Sequence, residues 1–369
     1  MSNVKLILPI FLWAAIIFFQ AISLLLRAQS PSGGSVEADS VQVLLGQAGA
    51  LMGLGDFDAA EATTQSAYRI ALELPSDDPS RFIALRKLVR INFYNHNFEG
   101  AQNYAQRALA EAQALDSLAL QAEMHYMKGF VSASSGKDEA ALRSYETALR
   151  QGKAAKDTLR LIKTYINMAQ IYGERFDYDM CIKMTRPVLH LAEAVGDSFH
   201  LSIALQNIGV GFQELENVDS AIYCFERSLQ VNTHPRGAYK LVFPLVNLGT
   251  LYRDKGDTLS YERNIRRAFV IADTVPKNDI KAAAYRHMAE YFLMVGKYDS
   301  AQVQGGLAQY HSVFSGAPMQ NISATGTLAL IYSQLGKYEL ANCYYRQLRE
   351  LESEKYLLEK EEYGKELEV

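Results

Sequence analysis

The sequence predicts an all-α solenoid, and three observations carry that prediction. A pattern recurs every 40 residues: Asn167-Met168-Ala169 with Tyr172, then Asn207-Ile208-Gly209 with Phe212, then Asn247-Leu248-Gly249 with Tyr252. Gly or Ala recurs at fixed places within each repeat, and glycine-centred turns separate paired apolar segments. Self-similarity at such a period marks units that cannot bury their apolar faces alone and so stack on their neighbours.

Composition agrees. A globular chain of 369 residues would split into two or three domains, whereas an array forms one elongated domain. Hydrophobic content of 49% supplies the core, and a net charge of −4 gives no electrostatic reason to expect nucleic acid. Cys181, Cys224 and Cys343 are too few and too scattered for a disulfide framework or zinc site, and read as small core residues in apolar segments.

In chain order the first element is a leader. Lys5 precedes an apolar run from Leu6 to Leu26, and a polar stretch follows from Arg27 to Ser35. Two readings compete for residues 1–28: a secretory signal cut near Ala28, or an uncleaved membrane anchor, since about 20 apolar residues at about 1.5 Å each cross a bilayer core. Either one delivers the remainder across a membrane, periplasmic if cleaved or held in the inner membrane if not. Residues 29–38 read as a flexible linker.

The repeats occupy residues 39–352. Aligned on the fourth residue of the first segment, units start at Val41, Phe82, Ala122, Ile162, Ser202, Val242, Ala282 and Ile322. Their eighth position is Ala48, Val89, Gly129, Ala169, Gly209, Gly249, Ala289 and Ala329, and their twentieth is Ala60, Ala101, Ala141, Cys181, Ala221, Tyr261, Ala301 and Ala341. Small residues there let the helices of one hairpin, and the next hairpin's first helix, approach closely. Tyr172, Phe212, Tyr252, Phe292 and Tyr332 fill the complementary spaces, while Asn92 and Ser132 replace the aromatic in units two and three and Tyr261 replaces Ala in unit six. Gly55, Gly136, Gly256, Gly296 and Gly336 are placed to supply the left-handed residue that stops a first helix. Asp77, Ser117, Asp157 and Asp197 stand in phase as N-caps. After the last unit, residues 353–369 are dense in Glu and Lys and read as a polar capping helix, with a nascent coiled coil as the sharper alternative.

These small positions with aromatic fillers and a Gly-Asp/Lys-Tyr turn resemble the tetratricopeptide repeat (TPR) over residues 41 to about 352. The period of 40 resembles the longer-helix TPRs of kinesin light chain, the Pins/LGN adaptors and the bacterial Rap/PlcR-type regulators. The resemblance implies a right-handed solenoid of about eight helical hairpins whose first helices line an inner face that receives a protein or peptide.

Asn167, Asn207 and Asn247 share one inward position of that face. An amide side chain both donates and accepts, so a row of them suits the backbone of an extended peptide. They resemble the asparagine ladder of the long-helix TPR families; a solvated helix face is the plain alternative. His287 stands on the next rung and Lys87 on an earlier one, with Arg86, Arg90, Gln170, Thr250, Arg286 and Glu290 nearby. Arg86, Lys87 and Arg90 make a small basic patch able to hold a carboxylate, or simply a solvated face.

No HExxH, GxSxG, paired CxxC or Walker motif occurs, and the histidines are dispersed, so neither enzyme, cofactor nor metal site is expected. The sequence therefore points to an exported, non-catalytic scaffold binding a peptide or protein segment. The second reading is the sensor part of a bacterial signalling or transcription regulator, with its output on another segment or partner.

Overall fold

The computed structural model describes residues 36–232 and 239–367, with side chains to residue 357. The apolar leader lies outside them; among the described residues no helix is long and apolar enough to cross a membrane. The expected linker ends sooner than its pattern suggested, because Val36, Glu37 and Ala38 already belong to a helix.

Sixteen helices, with no strand among the described residues, form eight hairpins: α1 (Val36–Gly53) with α2 (Phe57–Ala71), α3 (Ser80–Tyr94) with α4 (Phe98–Ala114), α5 (Leu118–Ser134) with α6 (Asp138–Ala155), and α7 (Thr158–Glu174) with α8 (Tyr178–Ala194). There follow α9 (Ser198–Glu214) with α10 (Val218–Val231), α11 (Val242–Asp254) with α12 (Thr258–Asp273), α13 (Asn278–Met294) with α14 (Tyr298–Ser315), and α15 (Pro318–Gln334) with α16 (Tyr338–Leu367). The expected tail is the continuation of α16, which runs unbroken for 30 residues. The described residues divide into two compact units, one within residues 1–135 with 146–156 and one within residues 136–145 with 157–369.

The small positions are closed. Ala48, Ala60, Ala101, Ala169, Ala221, Ala289, Ala301 and Ala329 have no exposed surface. At Gly209 a β-carbon would come within 2.8 Å of the Phe225 ring, itself fully buried, so only glycine lets α10 seat against α9 there. The aromatic fillers Phe212, Tyr252, Phe292 and Tyr332 pack against the core clusters of their units. Cys181 and Cys224 are buried as expected, but Cys343 is exposed, because no helix among the described residues covers that side of α16.

All five predicted turn glycines are left-handed, at φ of 79, 73, 80, 74 and 70° for Gly55, Gly136, Gly256, Gly296 and Gly336. His96, Phe176 and Glu216 take the same conformation without glycine's freedom. The N-caps hold for Ser117, Asp157 and Asp197, each of which accepts from the N–H three residues on. Asp77 does not cap. The longer first repeat shifts the start of α3 to follow Pro79, and Asp78 accepts from the Ser80 N–H at 2.8 Å instead.

Where Asn92 replaces an aromatic, the first unit builds a polar plug. Buried Asn92 donates to the Leu88 carbonyl at 3.1 Å and accepts from the Asn97 amide at 2.7 Å, while Asn97 caps α4 through the Gly100 N–H. Ser132 is matched in the same way by Gln102, which donates to its hydroxyl at 2.8 Å and to the Lys128 carbonyl at 3.0 Å. A β-carbon on Gly100 would sit 2.3 Å from Asn92 Oδ1. Gly100→Ala is therefore expected to lower stability by about 1 kcal/mol: the unsatisfied buried amide costs about 1–3 kcal/mol, and alanine's helix propensity returns about 1. Chemical denaturation of the variant measures it.

Candidate functional site

In the second unit the first helices α7 and α9, α11 and α13, and α13 and α15 pack side by side, so their edges form one continuous face over each pair. Ile208 and Gly209 turn inward to the core of α9, as Leu248 and Gly249 do in α11. The preceding residue is rotated about 100° from them, to the edge of the buried face. Asn167, Asn207 and Asn247 occupy that edge and are half-buried.

Their amides differ. The Asn167 amide donates to the Tyr145 hydroxyl at 3.3 Å. Asn207 and Asn247 make no side-chain hydrogen bond among the described residues, although both are partly withdrawn from water. Three residues further along the same helical face stand exposed Gln170, which donates to Glu174 at 2.8 Å, and half-buried Thr250, whose hydroxyl back-bonds to the Val246 carbonyl at 3.2 Å. In α9 that place belongs to Val210 and in α15 to Leu330, both exposed.

The next rung departs from the pattern. His287 is buried, with its Nε2 2.6 Å from the Arg286 guanidinium and its Nδ1 3.0 Å from Glu290 Oε2. A guanidinium only donates, so Nε2 accepts and the ring is neutral with its proton on Nδ1. Burial drives the His287 pKa down from its ordinary value, and Arg286 adds to this against the opposing pull of Glu290. Burial pushes the Glu290 carboxyl up, but His287 and Arg286 outweigh it and hold the group at about 2. Arg286 bonds directly to Glu290, Arg253 of α11 lies 3.7 Å from it and also binds Asp254 at 3.0 Å, and the Tyr261 hydroxyl donates to the His287 carbonyl at 3.4 Å. Two guanidiniums thus face two carboxylates. The charge is balanced within the protein, and the cluster ties α11, α12 and α13 together. Sequence reading missed Arg253, since nothing in its own helix shows that Glu290 of another hairpin lies opposite.

The remaining candidates belong to the first unit. The Lys87 ammonium donates to the Leu45 carbonyl of α1, and burial followed by the Coulombic push of Arg90 and Arg86 lowers its pKa. Arg86 pairs with Glu123 at 3.4 Å. Arg90 is exposed and forms no ion pair among the described residues, so of the expected basic patch only Arg90 presents an uncommitted charge. No cluster among the described residues has the ligands for a metal ion.

No family model and no curated protein matches the sequence. Solved structures do. The apo quorum sensor NprR from B. thuringiensis superposes with a TM-score of 0.67 over 90% of this chain and 92% of its own, at 14% identity. A Rap protein complexed with Competence and Sporulation Factor gives 0.51 over 92% and 93%, also at 14% identity. A tetratricopeptide repeat protein from Parabacteroides merdae gives 0.53 over 79% and 98%, at 16% identity. The fold is a TPR-type solenoid. At these identities the likeness concerns the architecture, and in it the TPR first helices of the second unit carry the polar edge described above.

Proposed function

We propose that the protein is a non-catalytic TPR scaffold that holds an extended peptide or protein segment along the first-helix face of its second unit. The observation carrying this reading is the pair Asn207 and Asn247: equivalent half-buried amides with no hydrogen bond among the described residues. Half-buried amides that bond to no protein group, at equivalent places on repeated helices, can pair with the N–H and C=O groups of an extended backbone. Asn167, Gln170 and Thr250 flank them, and Val210 adds an apolar contact. The quorum sensor NprR and the Rap protein complexed with Competence and Sporulation Factor share this fold, which supports a binding use. In the same proposal the scaffold is exported, on the strength of the apolar run after Lys5. A sensor whose output lies elsewhere is the second reading, supported by the extension of α16 beyond the last hairpin.

The test uses the full chain immobilised against a degenerate decapeptide library. Wild type is expected to enrich defined peptides, and Asn207→Ala with Asn247→Ala to lose at least about fivefold in retention, since each lost hydrogen bond is worth about 0.5–1.5 kcal/mol. The melting temperature should stay unchanged, because neither amide bonds to the protein. Undiminished retention by the double variant would refute the site.

A further inference from the structure

The spacing of Asn207 and Asn247 bears on the conformation of what they hold. The two amides sit at equivalent places on α9 and α11 and bond to no protein group among the described residues. Both helices lean on the buried Phe225 ring of α10: a β-carbon on Gly209 would come within 2.8 Å of it, and Leu248 shares its core cluster. One ring keeps the two helices neighbours. Yet their Cα traces scarcely approach within 8 Å of each other, unlike the side-by-side pairs α7 with α9 and α11 with α13. Packed helices stand about 8–10 Å apart, so this pair lies at the wide end and displaces its equivalent amides by about 10 Å.

That displacement selects among backbones. A β-strand returns the same face every two residues, about 6.7 Å, or every four, about 13 Å; three residues span about 10 Å but turn the third one's groups to the opposite side. An α-helix comes back to the same face after two turns, about 11 Å, but its N–H and C=O groups are spent on its own hydrogen bonds. Polyproline II has three residues per turn at about 3.1 Å each, so every third residue presents the same face after about 9.3 Å, on a backbone without internal hydrogen bonds. We infer, on the reading that these amides hold a peptide, that the occupant is a proline-rich segment in polyproline II conformation, whose carbonyls three residues apart accept from Asn207 and Asn247. The side chains beside the amides suit it. Phe243 stands four residues before Asn247 and Val210 three after Asn207, each on its amide's own helical face, and they are exposed by 38% and 37%. Proline rings between the two bonded residues meet an aromatic and an aliphatic surface there, the kind of groove in which polyproline II ligands dock. Proline lacks only the N–H, which this pairing does not use. Asn167 spends its amide on Tyr145, so the shortest segment spanning the two remaining amides is X-Pro-Pro-X.

Two measurements on the full chain test this. Decapeptides that wild type enriches from the degenerate library are sequenced, and proline is expected well above its input frequency, in neighbouring pairs. In fluorescence anisotropy, a labelled decapeptide of Ala-Pro-Pro repeats should bind wild type more tightly than a β-prone decapeptide of Thr-Val repeats with the same charge. Asn207→Ala with Asn247→Ala should weaken the Ala-Pro-Pro peptide at least about fivefold, and Phe243→Ala should weaken it as well. Peptides enriched in an asparagine-dependent way but without proline, or tighter binding of the Thr-Val repeat, would overturn polyproline II while leaving the groove as a peptide site. An Ala-Pro-Pro peptide held equally by wild type and the double variant would overturn it too, by placing that peptide elsewhere on the protein. If wild type enriches no decapeptide at all, the peptide site itself fails and the polyproline II occupant with it.

Discussion

Replacing Tyr261 by alanine is expected to be the most damaging single truncation in the second unit, lowering stability by about 4 kcal/mol. Tyr261 occupies the position that is alanine in six of the eight repeats, yet it is wholly buried. Its ring lies edge-on to Tyr291 at 5.9 Å and under the Arg253 guanidinium at 6.0 Å. Its hydroxyl reaches the His287 carbonyl, and burial, reinforced by Glu290, pushes the phenol's pKa up. Truncation empties that volume, removes the hydrogen bond and bares the Glu290 cluster at once. Alanine restores the repeat's consensus here, so a purely sequence-based view expects stabilisation, and urea denaturation of Tyr261→Ala separates the two. A midpoint equal to or above that of wild type would show that the ring merely occupies slack space.

The same residue shows where the sequence stops being legible. Periodicity exposes what every repeat shares: the buried alanines, the left-handed glycines and the three working N-caps all follow from positions that recur, because each unit solves the same packing problem. Tyr261 is a local exception whose compensation is spread over other helices. Gly249 leaves room beside it, since a β-carbon there would come within 3.3 Å of the ring and 2.7 Å of Ile265, and Ala284 and Met288 of α13 belong to the same buried cluster. Neither neighbour is unusual by itself. Asn92 is similar, because its fit depends on Gly100 and Asn97. The candidate site was legible in part for the same reason. Asn207 and Asn247 were found by their register, and register does place them at the edge of the buried face. Register also nominated Lys87 and His287, but what those side chains do is set by partners on neighbouring helices, a carbonyl of α1 in one case and the arginine–glutamate cluster in the other.

Removing the Glu290 carboxylate is the second large effect, and pH gives it a signature that packing loss lacks. Glu290→Ala leaves Arg253, Arg286 and His287 without the carboxylate they share, and it should cost about 3 kcal/mol, the low end for a broken buried pair because the site keeps some solvent access. Glu290→Gln preserves the volume and isolates the charge. The carboxyl's folded pKa lies below its unfolded value of 4.5, so its stabilisation is fully present above that value and is lost as pH falls toward about 2. His287 is also depressed in the folded state, so the neutral ring favours folding above its ordinary 6.5 and that contribution is lost as pH falls below it. With Glu290→Gln the imidazole loses the one group that draws its pKa upward, while Arg253, Arg286 and the Tyr261 hydroxyl still surround it. Thermal melts across pH should therefore show wild type losing stability as pH falls below about 4.5, where Glu290 begins to protonate, and the variant, which lacks that one carboxylate, losing less over the same interval. Parallel wild-type and variant curves below about pH 4.5 would mean that Glu290 is screened by water and that the cluster does not bind α11 to α13 through its charge.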